Sequence, residues 1–110
     1  MYFNNKEKNN MINILNNGGS YDDIYKYGYK VIYGNKYIED PEELTEALYK
    51  TDIYIILETE FYEAKKITYY NFLEMAILKF EALKPAENEE ILLFKGNLYL
   101  EDQFEQLKAK

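Results

Sequence analysis

A chain of 110 residues, 47% apolar and 17% aromatic, can bury one core and is too rich in core-forming side chains to remain disordered, despite 30% charged residues. Its 13 basic residues, all lysines, face 20 carboxylates for a net charge of −7. That charge argues against direct binding to nucleic acid or an anionic membrane, where neutralising phosphate supplies most of the affinity. The absence of Cys and His excludes disulfides, thiolate nucleophiles and the common transition-metal ligand sets.

Taken from the N-terminus, Met11, Ile12, Ile14 and Leu15 share one face of a helix over residues 5–17, which Gly18-Gly19 stops. The N-terminus carries no basic flank followed by an apolar stretch and a small-residue cleavage site, and no apolar run reaches the roughly 18 residues that span a bilayer. The expected location is therefore the cytoplasm. Ser20 and Asp23 form a capping-box pattern that opens a short helix over residues 21–27, with Gly28 as its C-terminal cap. Tyr25, Tyr27, Tyr29, Val31 and Tyr33 also alternate as a strand would, so residues 21–28 stay open between helix and strand, and the strand is favoured beyond Gly28.

Gly34-Asn35 reads as a two-residue hairpin turn pairing Tyr33 with Lys36 and Lys30 with Glu39. Asp40 then caps a helix that has Pro41 at its first position and Leu44, Ala47 and Leu48 on its buried face. Residues 53–62 fit both periods, and their β-branched content favours a strand. From Thr68 to about Leu83 the spacing of Leu73, Ala76, Ile77, Phe80 and Leu83 predicts a helix, and its wide apolar arc leaves a homodimer possible. A second hairpin around Gly96-Asn97 and a short terminal helix follow. The sum is an α+β domain over residues 1–110: a small antiparallel sheet, two hairpins plus one strand, packed against three to five short helices. "GNKYIED" at 34–40 and "GNLYLED" at 96–102 form a weak internal repeat.

No phosphate-binding loop, dinucleotide fingerprint, EF-hand or zinc spacing is present, so no cofactor or metal is expected. The carboxylate pairs Asp22/Asp23, Glu42/Glu43 and Glu89/Glu90 sit where helix starts and charged loops place acids, and no base held by an orienting group is evident, so an enzyme is not expected. The segment "MINILNNGGSYDDIYKYGYKVIYGN" resembles a helix-turn-helix unit, with "YKVIYGN" as the recognition segment. That resemblance implies a small DNA-binding regulator.

What remains is surface. Tyrosine gives a large, rigid, amphipathic contact, and flanking carboxylates steer a basic partner. We therefore assign Tyr25, Tyr27, Asp22, Asp23, Glu39, Asp40, Glu42, Glu43 and Glu46 to partner binding, together with the similar 97–105 region. In bulk character the chain is similar to phage-encoded antagonists of host defence, including anti-CRISPR proteins that occupy the nucleic-acid channel of an effector. The expectation is a non-enzymatic, phage- or mobile-element-encoded inhibitor that mimics nucleic acid toward a basic nucleic-acid-binding protein. An immunity protein that neutralises a nuclease toxin is the alternative.

Overall fold

Four helices and a four-stranded antiparallel sheet make up the described residues, 2–100 and 104–110, of a computed structural model, giving the α+β architecture. Helix α1 spans Asn5–Asn16, α2 Tyr21–Tyr33, α3 Glu42–Tyr49 and α4 Leu73–Ala82. Strand β1 spans Asp52–Glu60, β2 Glu63–Tyr70, β3 Glu89–Asn97 and β4 Glu105–Ala109. The strand order is β2-β1-β3-β4, so β1 and β3 are central and β2 and β4 are edges.

Capping chemistry sets the first two helices. Asn4 and Glu7 form a reciprocal box at the start of α1 (2.8 and 2.9 Å). The helix ends in a left-handed Gly18 (φ 84°), with Gly18 N–H donating to the Leu15 carbonyl and Gly19 N–H to that of Ile14. Ser20 and Asp23 repeat the box at α2. Hydrogen bonds from Ser20, its backbone N–H first, hold the Asp23 carboxyl below the usual carboxylate range. Its contribution to stability is complete above that range and fades as pH falls through the lowered value. Asp23→Asn is therefore expected to flatten the acid limb of a urea-midpoint-against-pH series.

Beyond Gly28 the chain departs from the predicted strand and hairpin. Residues 29–33 continue α2, which Gly34 (φ 64°) terminates. Gly28 lies buried in mid-helix, where an added Cβ would meet Leu44 Cδ1 at 2.8 Å. The missing side chain is thus what admits α3 against α2. Because residues 29–33 of the would-be recognition segment are part of α2, that segment does not form a helix of its own. The loop after Gly34 is held instead by Tyr29, whose hydroxyl accepts from Ile38 N–H and donates to the Lys36 carbonyl (3.1 Å).

Helix α3 begins one residue later than predicted. Pro41 takes the N-cap position and offers no side-chain acceptor, while Asp40 contributes only its carbonyl, to Glu42 N–H. The missing cap comes from another helix: the Tyr33 hydroxyl accepts from Leu44 N–H at 3.1 Å. Tyr33→Phe should cost about 1 kcal/mol, measured by chemical denaturation, because it removes that acceptor and leaves the ring's packing in place.

Strand β1 forms as expected and has apolar residues on both faces. Ile53 and Ile55 join Met11, Leu15, Ile24, Leu44, Leu48 and Leu98 in the core under α1–α3. On the opposite face Ile56 joins Ile91, Leu93, Ala76 and Phe80 under α4. The predicted 68–83 helix is shorter, because Thr68, Tyr69 and Tyr70 complete β2 and pair with Ile56, Ile55 and Tyr54. Buried Asn71 ends the strand, donating to Asn9 Oδ1 (2.7 Å) and accepting from Lys8 Nζ (3.3 Å). Asn16 pairs with the outer side of β2 through both the N–H and the carbonyl of Tyr69 (2.7 and 2.9 Å).

At the C-terminus, Glu105–Ala109 is a strand where a helix was expected, and the connection from β3 is longer than a turn at Gly96-Asn97. Gly96 is instead a strand residue covered by the Phe104 ring. The two Gly-Asn segments therefore adopt different structures. The tight hairpin is the β1–β2 one, whose tip Phe61-Tyr62 has two successive positive φ angles (52° and 67°) and is 64% and 93% exposed. Bulky residues are strained there, where Asn-Gly is the favoured pair. Replacing both with Asn-Gly should raise stability by about 1 to 2 kcal/mol in a denaturant titration.

Candidate functional site

The tyrosines that look alternating in the sequence are spaced by four, and in α2 this stacks them in a stripe. Ring centroids lie 6.3 Å apart for Tyr21–Tyr25, 6.4 Å for Tyr25–Tyr29 and 4.9 Å for Tyr29–Tyr33. At its N-terminal end the stripe continues onto Tyr99, 5.8 Å from Tyr21 and nearly edge-on, and from there to Tyr49 at 6.4 Å. Six rings from α2, α3 and the segment after β3 thus form one aromatic path.

The path borders a shallow groove of about 690 Å³ lined by Asp40, Glu42, Thr45, Glu46, Tyr49 and Tyr99. Three of the predicted carboxylates meet here because α3 starts at Glu42 and puts Glu42, Glu46 and Tyr49 on one side, while the loop brings Asp40 to its mouth. Glu46 pairs with Lys50 at 2.6 Å. That hydrogen bond holds the Glu46 carboxyl below its usual range and the Lys50 ammonium above its own. Both partners are well exposed, so the pair adds little to stability. No ion pair involves the Asp40 or Glu42 carboxylate among the described residues.

Tyr25 is in the α2 stripe, outside the groove lining. Burial, then the neighbouring Tyr29 and Tyr33 and the Asp40 charge, push its hydroxyl above the ordinary tyrosine value, so it stays a neutral donor at physiological pH. Tyr27 points elsewhere, with its hydroxyl accepting from Asn10 Nδ2 (2.8 Å) at the α1–α2 contact. Asp22, Glu39 and Glu43 are exposed outside the groove lining, and Asp23 is engaged in its capping box. Of the 97–105 region, Tyr99 reaches the site, while Glu101 and Asp102 lie outside the described residues.

Tyr49 was not among the assigned residues, and Tyr99 falls in the 97–105 region assigned with them. Tyr49 follows Glu42 by seven and Glu46 by three, a helical spacing that places it with them. Tyr99 reaches the groove only through tertiary structure, because β3 lies beside β1, whose first residues directly follow α3.

Other concavities open elsewhere on the described residues. An apolar hollow of about 240 Å³ opens on the sheet between Ile55, Leu57, Ile67, Tyr69, Phe94 and Phe104. A cleft of about 310 Å³ beside α1 contains Lys8, Lys50, Asp52 and Asn71, and burial holds the Lys8 ammonium below its ordinary value against the opposing pull of Asp52. No group of three or more acidic residues converges on a possible metal position, and no helix is long and apolar enough to cross a membrane, among the described residues. The chain matches no protein-family model, no curated protein and no solved structure.

Proposed function

We propose that this protein is a non-enzymatic inhibitor that binds a basic nucleic-acid-binding protein through the tyrosine-lined acidic groove and occupies the surface its nucleic acid would use. The observation that carries this reading is the convergence of Asp40, Glu42 and Glu46 with Tyr49 and Tyr99 in one open groove. Carboxylates in such a groove offer the charge pattern of a phosphate backbone, and the rings supply the contact area that binding hot spots need. A phage- or mobile-element-encoded antagonist of host defence acting in the host cytoplasm has this chemistry.

The test is capture with tagged protein, at about 0.15 M salt, from a bacterium carrying diverse defence systems, followed by nucleic-acid-binding assays on the purified captured protein. The expected result is one basic nucleic-acid enzyme at stoichiometric yield, from which this protein displaces nucleic acid. A captured enzyme that keeps its nucleic acid overturns the proposed mechanism. Recovery of DNA with no dominant protein overturns the inhibitor reading in favour of a DNA-binding regulator.

A further inference from the structure

The groove contains more than negative charge. Tyr49 and Tyr99 meet at 65°, and Tyr99 and Tyr21 at 77°, so the rings form a corner rather than a flat stack. Tyr49 is 55% exposed and its ring is available from solvent. In the same groove lining, Asp40 and Glu42 carry carboxylates without an ion-pair partner among the described residues, while Lys50 already occupies Glu46. A cation entering from solvent would find, in one groove lining, aromatic rings and carboxylates without an ion-pair partner among the described residues.

From this arrangement we propose that the groove is selective for arginine: one arginine of a partner stacks its guanidinium on Tyr49 against Tyr99 and hydrogen-bonds to Asp40 or Glu42. The inference rests on the basic-partner reading above and narrows it to one side-chain chemistry. A planar guanidinium stacks on a ring while directing its N–H groups edgewise to a carboxylate, whereas an ammonium is a compact, strongly hydrated charge. The spread of the carboxylates around an open groove suits an extended planar cation better than a metal ion, which needs several oxygens at close range.

Octa-arginine and octa-lysine peptides carry the same charge and separate the two terms. Titrated calorimetrically into the full-length protein at about 0.15 M salt, octa-arginine should bind about fivefold or more tighter than octa-lysine. Tyr49→Leu should abolish that preference and Tyr49→Phe should retain it. The combined Asp40→Asn and Glu42→Gln substitutions should weaken both peptides. These side chains are exposed, so circular dichroism melts should match the parent protein.

Equal affinities for the two peptides, or a preference that survives Tyr49→Leu, would overturn the arginine assignment and leave the basic-partner reading in place. If neither peptide binds, both the arginine assignment and the basic-partner reading are overturned.

Discussion

Lysine substitution at Glu42, Glu43 and Glu46 together is expected to slow association with the partner by about 10- to 1000-fold and to leave the fold intact. All three side chains are exposed on α3, and none contributes to the core beneath it. The effect should fall on the association rate, because steering acts before contact, and should shrink as salt is raised and the charges are screened. Stopped-flow or surface-binding kinetics at two salt concentrations would separate this from lost contacts. An unchanged association rate in a well-folded variant would remove the acidic side of α3 from the binding surface. Truncation of Tyr49 should give the complementary result, faster dissociation with near-normal association.

Leu44→Ala is expected to cost 2 to 5 kcal/mol, about the range for a large aliphatic side chain with no solvent exposure. Against a typical total of about 5–15 kcal/mol, this is a large fraction of the stability. Leu44 packs over Gly28 and is also the residue whose N–H the Tyr33 hydroxyl caps, so one position ties α3 to α2 through both packing and hydrogen bonding. The denaturant midpoint should fall sharply. Partner binding should weaken through loss of the groove's shape, with little change in salt dependence, which distinguishes this variant from the charge-reversed one.

Sequence made some of this legible and concealed the rest for identifiable reasons. The first helix, the capping box at Ser20 and the apolar faces of α3 and β1 follow from local patterns that tertiary structure leaves in place. Residues 29–33 mislead because Tyr25, Tyr29 and Tyr33 satisfy a period of two and a period of four equally well, and Gly28 suggests an ending. A glycine expected to stop the helix is here a mid-helix residue against which another helix packs. The β2–α4 boundary was hidden because Tyr69, Phe72 and Leu73 extend an apolar arc that begins outside the helix.

The carboxylates of the candidate site were readable because Asp40, Glu42 and Glu46 lie close together in the sequence, just before and along one helix. Its aromatic wall was legible only in part: the 97–105 region contains Tyr99, but nothing local in the sequence brings that tyrosine beside Tyr49 of α3. The assignment of Tyr27 followed from counting tyrosines rather than placing them on a helix, where residue 27 faces α1.

The amide of Asn16 bears on how this protein behaves at high concentration. By presenting a donor and an acceptor to Tyr69, it gives the β2 edge the bonds that a neighbouring strand would supply. Further along that edge, Lys65 and Lys66 would meet like charge if a second copy docked in antiparallel register around them. A sealed corner and lysines along the rim therefore disfavour strand addition by a second copy at β2, one of the two edges of the sheet.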